Sequence, residues 1–146
     1  MRRYIFAIVA ALMGVTACSI VEKREIITVA ELPVAAQQML QENFPDQDAS
    51  YVLKETEWLV KVNYDVRLES GAELDFDADG QWEKVDCKLF PVPEGILPAE
   101  ILTQVTQKFP GAYVTEIDKD FWGYDVELDN HLDIKFSRKF DMSLDD

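Results

Sequence analysis

Tyr64-Asp65-Val66-Arg67-Leu68 and, 60 residues later, Tyr124-Asp125-Val126-Glu127-Leu128 are almost the same five residues. Each alternates apolar with charged side chains, the period of a strand with one face on a core and the other in water. Working outward, Val62, Tyr64, Val66 and Leu68 point one way, and Lys61, Asn63, Asp65 and Arg67 the other. Trp122, Tyr124, Val126 and Leu128 repeat the pattern. Leu74 and Phe76, and again Leu132, Ile134 and Phe136, predict the next strands, with Ser70-Gly71 and Asn130-His131 at the turns. A last strand is expected near Trp82 to Leu89 and near Phe140 to Leu144. Trp82 is out of phase with Val85 and Cys87, which predicts a bulge or an exposed indole.

Upstream of each pair of strands the same punctuation recurs. Leu32-Pro33 precedes Phe44-Pro45 by 12 residues, and Leu97-Pro98 precedes Phe109-Pro110 by 12. Between them, Ala36, Met39, Leu40 and Phe44 recur at three- and four-residue steps, as do Ile101, Leu102, Val105 and Phe109. These are helices: proline is tolerated in the first turn and blocks continuation after the last. The expected fold class is α+β, two tandem helix-plus-four-strand antiparallel meanders forming one continuous sheet of up to eight strands. Both helices then lie on one face, because neither unit can bury its apolar side alone. The domain division is a signal peptide over 1–17, a tether over 18–25, a first repeat over 26–89, a linker over 90–96 and a second repeat over 97–146. Ile26-Ile27-Thr28-Val29 reads as an extended entry segment.

Arg2 and Arg3, the apolar run Tyr4 to Val15, and the small residues Thr16 and Ala17 make up a secretory signal whose core is too short to span a bilayer. Val15-Thr16-Ala17-Cys18 also fits a lipobox. Two readings stay open: Cys18 is lipidated and anchors the chain, or the chain is an ordinary exported protein. In the second case Cys18 could pair with Cys87. Cys87 otherwise reads as a small buried hydrophobe in an alternating segment.

Loss of residues 1–17 removes two arginines, leaving 12 basic and 28 acidic residues, a formal charge of −16 on 129 residues. Such a surface repels nucleic acid and anionic head groups, favours a monomer, and suits cationic partners or divalent ions. Catalytic signals are missing from the pattern. His131 is the sole histidine, in a predicted turn, and no nucleophile elbow or phosphate-cradling glycine loop occurs. No enzyme is expected.

The order Leu-Pro, helix, Phe-Pro, Tyr-x-Val-x-Leu, then Leu74-x-Phe76-Asp77-x-Asp79-Gly80-x-Trp82, with Cys87 before Val92-Pro93, resembles the tandem PepSY-like family of exported bacterial proteins. The resemblance spans about residues 26 to 146. It implies the β-lactamase-inhibitor-like fold, an open sheet that grips a partner protein, and a role in binding envelope proteins or peptides, including restraint of peptidases. It supplies no catalytic residues. The second copy departs from the pattern at Phe136-Ser137-Arg138-Lys139-Phe140, where the acidic turn is absent.

Two constellations are left. Asp75, Asp77 and Asp79, with Gly80 and then Asp86 at the twelfth position, match the oxygen spacing of a calcium loop, while Asp-Ala-Asp-Gly is equally an ordinary hairpin turn. The outward row of Asp65, Arg67, Glu73, Asp75, Asp125, Glu127, Asp133 and Lys135 forms either a partner-binding surface or simply the wet side of a sheet. Trp58 and Trp82 would strengthen the first reading if exposed on that face.

Overall fold

The computed structural model describes residues 22–144. The expected signal peptide, Cys18 and the start of the expected tether fall on residues 1–21, outside the described residues. In chain order the elements are β1 (Glu22–Ile27), α1 (Val34–Asn43), β2 (Ala49–Glu57), β3 (Lys61–Leu68), β4 (Glu73–Phe76) and β5 (Trp82–Asp86). Then come α2 (Ala99–Lys108), β6 (Val114–Lys119), β7 (Gly123–Leu128), β8 (Asp133–Ser137) and β9 (Met142–Leu144). Each helix is thus followed by four strands.

The strands form a single open sheet of nine in chain order, every neighbouring pair antiparallel. One strand more is present than the pattern predicts. The entry segment does not merely lead in: β1 pairs along its whole length with β2, from Glu22 opposite Glu57 to Ile27 opposite Val52. Two strands also stop short of expectation. β5 ends at Asp86, whose side chain takes the Lys88 N–H at 2.8 Å and turns the backbone to φ 59° at Lys88. β9 starts only at Met142, because Phe140 sits at φ 63° in the preceding turn.

One cross-strand row carries the core through the sheet: Val52, Val66, Leu74, Val85, Ile117, Val126 and Ile134 stand opposite one another in turn. All seven are at most 2 % exposed. Ala36 and Leu40 of α1 and Ile101 and Val105 of α2 are buried in the same cluster, so both helices cover this face. Pro33 and Pro98 immediately precede the first helical residues, and the Phe44 and Phe109 N–H groups close the last turns on Leu40 and Val105 at 2.8 and 2.9 Å. Among the described residues the core runs from Leu32 to Phe136, so the chain from Cys18 onward carries all of it.

Candidate functional site

The face turned away from the helices is built by the alternate residues of the same strands. One row across it reads Asp65, Asp75, Lys84, Asp118, Asp125, Lys135. The next reads Arg67, Glu73, Asp86, Glu116, Glu127, Asp133. Nine of these twelve side chains are carboxylates and three are cations, so like charges meet directly: Asp65 with Asp75, Glu73 with Asp86, Asp86 with Glu116, Glu116 with Glu127, Asp118 with Asp125, and Glu127 with Asp133. Directly opposed like charges destabilise a sheet. A face serving only solubility would be expected to alternate signs across strands.

The cations present are engaged. Arg67 is ion-paired to Glu73, Lys88 reaches Glu73 at 3.0 Å and Asp86 at 2.5 Å, and Lys84 binds Glu116 at 2.5 Å. Burial works against the Lys84 charge, but the Glu116 hydrogen bond and charge, with Asp118 and Asp86, hold its pKa above the ordinary value. The Asp75 pKa is pushed up to about 6 by burial first and then by Asp65, Asp118 and Glu83, with Lys84 opposing. Burial likewise raises Asp65, against the pull of Arg24. Over β6 to β8 the face dips into a shallow depression of about 290 Å³ lined by Glu116, Asp118, Asp125, Glu127, Asp133 and Lys135.

The structure therefore gathers Asp65, Arg67, Glu73, Asp125, Glu127 and Asp133 on one surface, and adds Lys84, Asp86, Glu116 and Asp118. The residues on β6 do not follow from simple alternation, because a register shift between Val114 and Glu116 interrupts it. The two tryptophans lie elsewhere. Trp82 is half-buried on the helix-bearing side: a bulge at Asp75/Phe76 places it opposite Phe76, its ring 6.5 Å from Tyr124 and 4.7 Å from Lys119 Nζ. It cannot anchor a partner on the open face. Trp58 is 55 % exposed, but in the β2–β3 hairpin at the end of the sheet.

The acidic-turn residues point to different places. Asp77 Oδ1 accepts the N–H groups of Asp79 and Gln81, each at 2.9 Å, and so closes the β4–β5 hairpin. Gly80 packs that hairpin on α1, where a Cβ would stand 2.8 Å from Pro33 Cβ and 2.9 Å from the Ala36 nitrogen. Asp75 and Asp86 are on the open face, opposite Lys84 and Glu73. Among the described residues no three Asp, Glu, His or Cys side chains converge in a geometry for a metal ion. His131 is exposed in its turn and meets Glu127 at 2.8 Å. Cys87 is a buried free thiol, 4 % exposed, its pKa pushed up to about 11 by burial and by Asp86.

Residues 62–143 match the family model described as "Putative beta-lactamase-inhibitor-like, PepSY-like". The chain belongs to the PepSY-like family. No curated protein matches it. Solved structures of similar proteins show the same architecture. A "putative periplasmic protein" of the DUF2874 family from Bacteroides vulgatus is 34 % identical, with a TM-score of 0.80, covering 85 % of this chain and 98 % of that one. A "putative calcium-regulated periplasmic protein" from Bacteroides thetaiotaomicron is 35 % identical, TM-score 0.79, covering 84 % and 97 %. A second Bacteroides vulgatus protein, described as periplasmic and of unknown function, is 30 % identical, TM-score 0.76, covering 83 % and 99 %.

Proposed function

We propose that this protein is an exported, lipid-anchored binding module of the bacterial envelope, without catalytic activity, whose open sheet face receives a basic segment of another protein or a peptide. One observation carries the reading: nine carboxylates occupy two adjacent rows of that face, six of their pairings directly opposed, at a cost to the free domain. A cationic partner would relieve that repulsion, and Arg67, Lys84 and Lys135 would set which arrangement of charge fits. The inhibitor-like family description supports an inhibitory form of the same role, with a peptidase as the partner class. The periplasmic descriptions of the relatives support export, and Cys18 would carry the anchor. The matching order of a helix and four strands, twice, supports descent of the two halves from one duplicated unit.

The test is affinity capture from envelope extract with residues 19–146 beside the triple variant Asp65→Asn, Asp125→Asn, Glu127→Gln. A protein retained by the first and lost by the second supports the reading. Equal retention by both, with the variant folded, would move the binding surface elsewhere.

A second reading is favoured by the calcium-regulated relative. Here Asp75, Asp77, Asp79 and Asp86 hold calcium, which would have to draw together side chains that are apart in this structure. Calcium at 100 times its dissociation constant would add about 2.7 kcal/mol to stability. A melting temperature unmoved by millimolar calcium would dispose of it.

A further inference from the structure

The β2–β3 hairpin ends in an apolar tip that nothing in the fold explains. Trp58, Leu59 and Val60 are 55, 77 and 82 % exposed. Trp58 and Leu59 have φ of 52° and 62°, and the Val60 N–H closes on the Glu57 carbonyl at 3.1 Å. Positive φ at both central positions is a turn that Asn-Gly fills without strain, whereas bulky side chains there are disfavoured. The tip therefore holds three large apolar residues in water, two of them in an unfavourable backbone conformation.

Its position in the sheet indicates what covers it. Glu22, where the described chain begins, stands directly opposite Glu57, the residue before Trp58. Cys18 lies only four residues earlier. Four residues reach at most about 14 Å even when fully extended. An anchor on residue 18 thus holds this hairpin, rather than the open face or the helices, next to the bilayer.

We propose that the Trp58-Leu59-Val60 tip is a membrane prong that lies in the bilayer interface when the chain is anchored through residue 18. The inference rests on the anchoring proposed above. The side-chain chemistry suits a shallow site: tryptophan favours the head-group level, leucine and valine the acyl boundary beneath it, and the Lys61 stem can lie along the interface with its ammonium in water. Glu57 and Glu22 at the base of the tip oppose deeper entry. The strongly acidic remainder of the molecule favours a zwitterionic over an anionic surface.

A second aromatic tip at the same end of the sheet, Phe121-Trp122, is 64 and 71 % exposed. It is four strand spacings away, and a twist of roughly 20–25° per strand turns its hairpin about 80–100° from the first. Only one of the two tips can therefore meet the plane that the anchor defines, and it serves as the internal control.

The test couples residues 18–146 through the Cys18 thiol to a maleimide lipid in phosphatidylcholine vesicles with brominated acyl chains; Cys87 is buried and does not compete. Tryptophan quenching by the bromines is expected in the parent, to persist in Trp122→Phe, to fall at least fivefold in Trp58→Phe, and to fall at least twofold in Leu59→Asn/Val60→Asn. No quenching in the parent, or quenching that survives Trp58→Phe and vanishes with Trp122→Phe, overturns the prong. The mass of the mature protein from cells decides the anchor separately: an unmodified residue 18 removes the anchoring, and with it the prong's role in the cell, whereas a lipidated residue 18 with an unquenched tip removes the prong alone.

Discussion

Asp65 and Asp75 stand directly opposite each other on β3 and β4, with their side chains on the same open face of the sheet. Both pKa values are raised, Asp75 to about 6, and both chiefly by burial. The pair lies on a surface on which carboxylates repeatedly face carboxylates.

Asp75→Asn should therefore stabilise the domain at neutral pH. The folded-state pKa of about 6 lies above the ordinary 3.8, so between these values the native state holds more protons than the unfolded chain. Stability from this group is full below about pH 4 and is lost as pH rises through 6. The variant removes that loss. Solvent screening of a half-buried group reduces the gain to about 1 kcal/mol at pH 7, vanishing near pH 4. Urea midpoints of the two proteins across this range check it, and a variant less stable than the parent at pH 7 would contradict the assignment.

Retention of a cationic partner on these rows should weaken steeply with salt. The Debye length falls from about 10 Å at 0.1 M to about 3 Å at 1 M, so long-range attraction to the face is screened. The association rate is expected to drop at least tenfold between 50 and 500 mM sodium chloride, with a smaller change in dissociation. Surface-immobilised domain and a captured partner give both rates, and a salt-independent association rate would point to an apolar contact instead.

Much of this fold can be read from residue order, and what escapes has identifiable causes. The helices and the strands β3, β4, β7 and β8 are legible because Ala36, Leu40, Ile101 and Val105, and then Tyr64 to Leu68 and Tyr124 to Leu128, keep clean periods of burial. β2 and β6 are obscure because each carries a register shift, at Ala49/Tyr51 and Val114/Glu116, that breaks the two-residue period. β1 is obscure because it is an edge strand, Glu-Lys-Arg-Glu-Ile-Ile, with no fully buried side chain. Of the site, Asp65, Glu73, Asp125 and Glu127 follow from alternation alone. The phase of Trp82 against Val85 and Cys87 leaves a bulge or an exposed indole as the two readings; the structure has the bulge, and which of the two holds depends on how β4 and β5 align, a property of the pair that neither strand encodes by itself.

Cys87 should be inert in the native state. Its thiol is buried and its pKa stands at about 11, so at pH 8 it is neither accessible nor appreciably a thiolate. Residues 19–146 treated with iodoacetamide at pH 8 are expected to remain unmodified over hours and to gain one carbamidomethyl group within minutes in 6 M guanidinium. Rapid native labelling would mean that the β5 end opens readily, contrary to the packing of the core around it.

Gly123, at the start of β7, is the position where the least substitution should do the most damage. Its φ is +154°, and a Cβ there would come within 1.9 Å of the Phe136 carbonyl oxygen and 2.9 Å of its carbon. Those atoms are backbone of the neighbouring strand and cannot rotate away. Gly123→Ala must push β7 from β8 or tilt the hairpin that Asp120 holds through the Trp122 and Gly123 N–H groups at 2.6 and 3.0 Å. The expected cost is about 3 kcal/mol. Gly71 provides the comparison: its φ is +92° with open space around it, so alanine there meets only the backbone penalty of about 1 kcal/mol. Chemical denaturation of both variants separates crowding from conformational strain. Equal losses would mean that the β7–β8 contact yields, and that the sheet is softer at this pair than its register implies.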